Sequence, residues 1–288
     1  MSTRIMPQFE LLAPQSVDEA VKDLAQYKEK AAVLAGGTDL LIMMKDENKW
    51  EYVLSLAEIP DLDYVLFDPK EGLRIGAMAR LTQVLASPVV KERYRALWKA
   101  ADRSGSPQTR AMATVVGNIL RASRTGDCNI AILALGGTVV LRSVEGIREV
   151  VIDEFWVSQG VSVRRPDEIA VEVKLPALSE NSVSSFSNVA RTTLDVSKVN
   201  AAVRLDMEGN ICKHARIAMG AEGPTPIRLP KTEKMLEGVT ITDEVLLNVE
   251  KSVPTEVTPK DGRTSAEYRR DVSGVLVKRA IQDACNVS

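Results

Sequence analysis

The spacing of apolar residues near the start of the chain predicts a helix that buries one face. Four apolar residues recur at the helical period: Val17, Ala20, Val21 and Leu24. Ser16 stands just before them and, with Glu19 three residues later, matches the S-x-x-E capping box of a helix N-terminus. A helix is therefore predicted over residues 17–27.

The rest of the chain alternates between helical spacing and short apolar runs that favour strands. Further helices are predicted over residues 81–85, 91–102, 131–135, 196–205 and 265–284. Strands are predicted over residues 31–35, 53–56, 64–67, 73–77, 138–142, 168–175 and 215–219. This mixture of elements predicts an α+β fold.

A polar stretch divides the chain. Residues 178–185 are rich in Ser and Asn and follow Pro176, which ends a predicted strand. The length of 288 residues suits two domains, at roughly 150 residues each. We expect one domain over residues 1–178 and a smaller one over residues 182–288.

Composition excludes several classes of protein. The 37 basic and 39 acidic residues leave a net charge of −2, without the basic excess of a nucleic-acid-binding protein. No apolar run approaches the ~18 residues of a membrane helix, and the N-terminus lacks the apolar core of a signal peptide, so a cytoplasmic location is expected. A lone His214 and three scattered cysteines predict no metal site.

Two small-residue loops are the candidates for chemistry. The first, AGGTDL, follows a predicted buried strand and includes Gly36 and Gly37, whose backbone N–H groups can face an anion. The second, TVVGN, starts at Thr114, and Asp127 follows it within a polar loop. Taken singly, each loop is explained as well by an ordinary turn.

The two loops together, in this order, resemble those of the FAD-binding subunit of molybdenum hydroxylases, the xanthine dehydrogenase and carbon monoxide dehydrogenase family. That family carries an AGG-Thr/Ser-Asp/Asn-Leu loop and a T-[IV]-G-G-N loop. Five further segments are similar and in order: GLRIGA at 72–77, PQTR at 107–110, LGGTVVL at 135–141, PTPIR at 224–228 and SAEYRR at 265–270. The resemblance covers residues 5–285.

The resemblance implies a fold and a cofactor. It implies a two-lobed FAD-binding domain of the PCMH or vanillyl-alcohol-oxidase type, with lobes of about 1–58 and 59–178, followed by a flavoprotein C-terminal domain. Its implied FAD contacts are Leu34, Ala35, Gly36, Gly37, Thr38, Asp39 and Leu40 at the pyrophosphate, Ser104 and Gly105 beside the flavin, Thr114, Gly117 and Asn118 in the second loop, and Asp127 at the adenosine part. No side chain is assigned as catalytic.

The same resemblance implies an oxidoreductase subunit with partners. A large subunit with the molybdenum cofactor would oxidise the substrate, and a small [2Fe-2S] subunit would deliver electrons to FAD. An acceptor such as NAD, a quinone or ferredoxin would then take them. Two alternatives stay open: a flavin-free structural subunit of such a complex, and a self-contained flavoenzyme on the same fold.

Two positions depart from the family pattern. Val116 stands where a glycine is usual, so either the backbone there is extended or FAD binding is weaker. The family often has a lysine just after the position of Phe186, and this chain has Ser187, Asn188 and Val189 there, with Arg191 as the nearby substitute.

Overall fold

A computed structural model describes residues 5–47, 49–262 and 264–285 of the chain. The outermost residues of the two expected domains, 1–4 and 286–288, lie outside the described residues.

The N-terminal lobe is built on a parallel three-stranded sheet in the order β1–β3–β2. Its elements are β1 (Glu10–Leu12), α1 (Val17–Tyr27), β2 (Ala31–Leu34), α2 (Leu40–Asp46) and β3 (Tyr52–Ser55). The helix predicted over residues 17–27 is confirmed. The Ser16 hydroxyl accepts the N–H of Glu19 at 3.2 Å, while the Glu19 carboxylate accepts the N–H of Gln15 at 2.8 Å, one residue before the cap.

The second lobe contains an antiparallel five-stranded sheet in the order β4–β5–β10–β6–β7. Its strands are β4 (Val65–Asp68), β5 (Gly72–Gly76), β6 (Thr138–Ser143), β7 (Gly146–Val151) and β10 (Ile169–Leu175), and a small hairpin of β8 (Trp156–Ser158) and β9 (Val161–Ser162) precedes the last of them. The strands predicted over 64–67, 73–77, 138–142 and 168–175 correspond to β4, β5, β6 and β10, with boundaries shifted by one residue or so.

Six helices connect β5 to β6 in this lobe. They are α3 (Leu81–Ala86), α4 (Pro88–Arg93), α5 (Arg95–Arg103), α6 (Pro107–Arg110), α7 (Val115–Leu120) and α8 (Asp127–Leu135). The single helix predicted over 91–102 is wrong, because the helix is interrupted at Tyr94, which separates α4 from α5. The fully buried Tyr94 has a non-helical backbone, and its hydroxyl donates to the carbonyl of Pro176 at 2.9 Å.

The C-terminal part is a sheet with helices on one side. Its strands run in the order β11 (Ser182–Val189), β12 (Val199–Glu208), β13 (Ile211–Gly220), β14 (Ile227–Arg228), and β15 (Val239–Thr240) also pairs with β13. Its helices are α9 (Pro230–Leu236), α10 (Asp243–Ser252) and α11 (Ala266–Cys285). The terminal helix predicted over 265–284 is confirmed.

The helix predicted over 196–205 is wrong, because these residues enter strand β12. Both faces of β12 are covered: Val203 and Leu205 pack on the core of the C-terminal helices, while Ala202 packs on the core of the two N-terminal lobes. Among residues 199–203 only Asn200 is polar, so the start of this strand lacks the alternation that would distinguish it from a buried helix.

Helix α8 is held at both ends by the C-terminal sheet. At its start, Asp127 accepts hydrogen bonds from Ser197 and Asn200. At its end, Arg216 and Arg204 donate to the carbonyls of Leu133 and Leu135 at 2.9 and 3.2 Å. Cations at a helix C-terminus complement the exposed carbonyls, so these contacts fix the two parts of the chain against each other.

Among the described helices, none combines enough length with enough apolar character to cross a lipid bilayer.

Candidate cofactor site

The glycine turn predicted at residues 34–40 lies at the carboxyl end of β2, where the chain leaves the parallel sheet for α2. Leu34 ends β2, Ala35 is half-buried, and Leu40 begins α2. Gly37 adopts a φ of +72°, a left-handed conformation that favours glycine. The carboxyl edge of parallel strands is where ligands bind in open sheets.

This turn exposes a row of backbone donors. Within the described residues, the N–H groups of Gly36, Gly37, Thr38 and Asp39 make no hydrogen bond, and the Thr38 hydroxyl is also unpaired. Successive free N–H groups form an anion-binding surface, which fits the pyrophosphate of FAD. The Asp39 carboxylate is engaged separately, 3.5 Å from the guanidinium of Arg121.

The second loop is the start of helix α7. Thr114 is its N-cap, and its hydroxyl accepts the N–H of Gly117 at 3.0 Å. A Cβ on Gly117 would lie 2.8 Å from that hydroxyl, so a larger residue would require the Thr114 side chain to shift.

For Val116 we expected either an extended backbone or weakened FAD binding, on the assumption that it lies in a loop. The extended backbone is wrong, because the residue is helical. Val116 lies in the first turn of α7 and is 1% exposed, packed in the core of the FAD-binding lobes. Because the Thr114 cap starts a helix here, Val116 needs no positive φ, and its side chain is turned to the interior.

The two loops meet directly. A Cβ built on Gly36 would lie 1.9 Å from the carbonyl oxygen of Met112 and 3.1 Å from Cα of Ala113. This approach brings the free N–H groups of the first loop beside the capped start of α7. Asn118, on α7, has a buried Oδ1 with no hydrogen-bond partner among the described residues. The cradle and the orphaned amide atom fit a polar cofactor lying between the loops.

The two carboxylate oxygens of Asp127 have different surroundings. Its Oδ1 accepts hydrogen bonds from Ser197 Oγ at 2.7 Å and Asn200 Nδ2 at 2.6 Å. Burial raises the pKa of Asp127 to about 6, although the two hydrogen bonds and Arg103 oppose this rise. Oδ2 has no hydrogen bond within the described chain, and the residue is 8% exposed, so Oδ2 is the atom left for a ligand.

Ser104 and Gly105 lie beside the start of α8. The Ser104 hydroxyl donates to the carbonyl of Ala100 at 2.9 Å and lies 3.8 Å from Sγ of Cys128. Gly105 has a φ of +63° and its carbonyl accepts from Arg110 at 2.7 Å. Ser104 therefore lies against the residue that follows Asp127 in α8.

The substitute expected for the family's lysine near Phe186 was Arg191, but the cation in this region is Arg103 of α5. Arg191 pairs with Asp195 at 2.7 Å and its side chain is 75% exposed. Arg103 of α5 instead donates to Asn188 Oδ1 at 3.3 Å, and Asn188 donates to Ser197 at 2.9 Å. Arg103 thus connects through Asn188 and Ser197 to Asp127.

A cavity of about 1390 Å³ opens beside the loops, and sequence reasoning did not predict it. Asp39 is the one predicted FAD contact that lines this cavity. The remaining lining residues come from the segment after α7, the β8–β9 hairpin, residues 191–198 and residues between 223 and 269. Several walls carry cations, of which only Arg269 lies in one of the segments that resemble the family: Arg121, Arg124, Lys198, Lys260 and Arg269. Their spread along the chain leaves no local signal in the sequence.

Comparison with known proteins identifies the two parts of the chain. Residues 7–178 match the family model of the FAD binding domain in molybdopterin dehydrogenase. Residues 184–284 match that of the CO dehydrogenase flavoprotein C-terminal domain.

Relatives resemble the chain along nearly its whole length. It is 34% identical to the nicotinate dehydrogenase FAD-subunit of Eubacterium barkeri, covering 95% of both chains. It is 31% identical to the carbon monoxide dehydrogenase medium chain of Hydrogenophaga pseudoflava, covering 97% of this chain and 98% of that one.

A solved structure agrees with the fold. It is a chain of the carbon monoxide dehydrogenase of Hydrogenophaga pseudoflava, in a form that lacks the Mo-pyranopterin moiety of the molybdenum cofactor. The two chains superpose with a TM-score of 0.93 at 30% identity, and the match covers 98% of this chain and 99% of that one. The predicted α+β fold, the FAD cofactor and the assignment to an oxidoreductase are confirmed. The chain therefore belongs to the family of FAD-binding medium subunits of molybdenum hydroxylases.

Proposed function

We propose that this chain receives electrons from the [2Fe-2S] clusters of a small partner subunit and passes them through FAD to an external acceptor. The substrate is oxidised at the molybdenum cofactor of a large partner subunit. The names of the relatives support this assignment, because an FAD-subunit and a medium chain are each one chain of several.

The observation that carries the proposal is the contact of Gly36 with the backbone of Met112. This contact forms one cradle from two loops, with the unpaired N–H groups of Gly36, Gly37 and Thr38 on one side and the Thr114 cap on the other. A dianionic pyrophosphate needs several donors and little side-chain bulk, and the cradle offers both.

The other predicted contacts have roles that follow from their atoms. Asn118 Oδ1 and Asp127 Oδ2 are polar atoms without a partner in the described chain, suited to bind hydroxyl groups of the cofactor. Ser104 and Gly105 border the same region from the end of α5. FAD supplies the redox chemistry by exchanging one or two electrons, while the chain binds, orients and shields it.

The packing of Val116 weighs against a flavin-free structural subunit. Val116 was the one residue favouring that alternative, and its side chain is buried in the core, away from the cradle. A self-contained flavoenzyme finds no comparable support in the described residues.

Reduction and reoxidation of the purified, FAD-loaded chain would test the proposal. The flavin is reduced with dithionite, and its reoxidation by NAD, a soluble quinone and ferredoxin is followed by absorbance. We expect reoxidation by one of these acceptors. We also expect no flavin reduction when nicotinate, xanthine or carbon monoxide is added without partner subunits. Flavin reduction by one of these substrates alone would instead favour a self-contained flavoenzyme.

A further inference from the structure

A row of hydrogen bonds between side chains runs from helix α5 to the start of α8. Arg103 Nε donates to Oδ1 of Asn188 at 3.3 Å, and Nδ2 of Asn188 donates to the Ser197 hydroxyl at 2.9 Å. That hydroxyl donates to Oδ1 of Asp127 at 2.7 Å. None of the three donors lies in a segment that resembles the family. The row therefore connects a predicted FAD contact to three residues from outside the recognised motifs.

Arg103 fixes the direction of these hydrogen bonds. A guanidinium group has donors only, so Asn188 turns its amide oxygen to Arg103 and its amide nitrogen to Ser197. The Ser197 hydroxyl accepts that bond and has a single proton, which it donates to Asp127. Within the part of the chain that the structure describes, the Arg103 side chain forms no salt bridge. Its positive charge is therefore directed at this row alone.

A second donor reaches the same oxygen of Asp127 from strand β12. Asn200 stands directly opposite Asn188 in the pairing of β11 with β12, and its Nδ2 donates to Asp127 Oδ1 at 2.6 Å and to the Thr125 carbonyl at 3.2 Å. The neighbour of Asn200 on β13 is Gly220, where a Cβ would lie 2.1 Å from Asn200 Oδ1. The glycine leaves the space that the amide group occupies, so the fold is built around this donor.

The two donors hold one oxygen of Asp127 and leave the other uncommitted. Ser197 is 3% exposed and Asn200 is fully buried, so bulk water does not compete for Oδ1. A carboxylate that accepts two hydrogen bonds on one oxygen is not free to rotate, and its second oxygen keeps one direction. Oδ2 of Asp127 accepts no hydrogen bond from the described residues. It is therefore a fixed acceptor available to a ligand.

We propose that Asn188 and Ser197 are positioning residues for FAD: together with Asn200 they hold Oδ1 of Asp127, so that Oδ2 can accept a hydroxyl group of the cofactor. This inference rests on the proposed function. Neither residue needs to touch the cofactor, because both act through the Asp127 carboxylate. An ionised carboxylate accepts stronger hydrogen bonds than a protonated one, so FAD binds more tightly when Asp127 is ionised. The row favours that state, because each of its donors points toward the carboxylate.

The groups around Asp127 set the sign of its pH dependence. Burial raises the pKa of Asp127 to about 6, while the hydrogen bonds from Ser197 and Asn200 and the charge of Arg103 oppose the rise. Arg103 is the charged group that faces the carboxylate, from α5, and the contacts from the C-terminal sheet are uncharged. Cys128, the next residue of α8, stays neutral because burial raises its pKa to about 12. Loss of the Ser197 donor must therefore raise the pKa of Asp127 further.

The dissociation constant of FAD for the full flavin-free chain, measured by flavin fluorescence from pH 5 to 9, tests this inference. We expect wild-type binding to weaken as pH falls below about 6, the pKa of Asp127. In Ser197→Ala this break should move up by about one pH unit, and Ser197→Thr, which keeps the hydroxyl, should restore it. Ser185→Ala is the matched control, because it removes another buried hydroxyl of β11, which donates to Asp283 instead. Its break should stay at the wild-type pH.

A merely structural role for Ser197 would weaken FAD binding equally at every pH. The same break in Ser197→Ala as in the wild type, or wild-type binding that does not depend on pH, would overturn the inference. If Ser197→Ala does not fold, Asn188→Ala decides, since it removes the donor to Ser197 and should move the break in the same direction. A wild type that binds no FAD at any pH would instead overturn the proposed function, and this inference with it.

Discussion

Asn200 Nδ2 lies 2.6 Å from Oδ1 of Asp127 and so connects a strand of the C-terminal sheet to the start of the buried helix α8. Ser197 donates to the same oxygen at 2.7 Å. A carboxylate predicted to contact FAD is therefore also a contact between the two parts of the chain. Cofactor binding and the packing of the C-terminal part are linked through one side chain.

This buried carboxylate makes stability depend on pH. The pKa of Asp127 is about 6 in the folded chain against 3.8 for an ordinary aspartate carboxyl group, so the folded state binds its proton more tightly. Its contribution to the free energy of unfolding is greatest below pH 4 and falls as pH rises to 6. The shift corresponds to about 3 kcal/mol at most.

Asp127→Asn checks this effect, since the amide oxygen can still accept from Ser197 and Asn200 but does not titrate. Urea unfolding of the apo chains at pH 4, 5, 6 and 7 gives the comparison. We expect the stability of Asp127→Asn relative to the wild type to increase by about 2–3 kcal/mol between pH 4 and 7. Parallel pH profiles would contradict the buried, raised-pKa carboxylate.

Gly37→Val should remove FAD, because it adds bulk to the pyrophosphate turn. Gly37 has a φ of +72°, and its Cβ position is already 3.2 Å from side-chain atoms of Leu34 and Leu41. Gly238→Val is a matched control, with a φ of +78° and open space around Cβ. Both variants should lose about 1–3 kcal/mol of stability from backbone strain. Only Gly37→Val should lose flavin, measured as FAD per folded chain; equal flavin in both would refute the turn as the FAD site.

Gly36→Ala tests the contact between the two loops. The added Cβ would lie 1.9 Å from a backbone oxygen of Met112, so the loops must separate. We expect FAD occupancy below half that of the wild type, with the chain still folded by circular dichroism. Full occupancy would show that the close approach of these loops is not needed for the cofactor.

Val116→Ala should lower stability without lowering FAD content. The side chain is buried in the core of the FAD-binding lobes, and its truncation leaves a small cavity. We expect a loss of about 1–3 kcal/mol in the free energy of unfolding, by analogy with other core truncations. Lost flavin at unchanged stability would place this side chain at the cofactor instead.

Arg216→Ala should weaken the attachment of the C-terminal sheet to α8. The guanidinium donates to the carbonyl of Leu133 at 2.9 Å and pairs with Asp153 at 2.8 Å. We expect about 2 kcal/mol lower stability in urea unfolding. Lys213→Ala, which breaks an exposed pair with Glu208 on the same hairpin, should change it by no more than about 0.5 kcal/mol. Equal losses of stability in the two variants would show that Arg216 does not hold the C-terminal sheet against α8.

Local signals explain which features the sequence predicted correctly. The Ser16 cap and the four apolar residues after it are consecutive turns of one helix, so α1 was predictable. The glycine turn at residues 36–37 was predictable because two adjacent glycines directly follow a short apolar run typical of a buried strand. Each of these signals lies within about a dozen residues.

Features that depend on distant parts of the chain were not predictable. The contact of Gly36 with Met112 joins residues far apart in sequence. Strand β12 was taken for a helix because both faces of its first half are packed, so residues 199–203 are apolar except for Asn200. The cations that line the cavity, such as Arg124, Lys198, Lys260 and Arg269, come from separate segments, and only the fold brings them together.

The most direct test of this account is the amount and identity of flavin in the purified chain. The visible spectrum is recorded, the protein is denatured, and the released cofactor is identified by chromatography. The account predicts close to one FAD per chain, present after purification or after reconstitution. A chain that is folded by circular dichroism yet holds no FAD after reconstitution would contradict it.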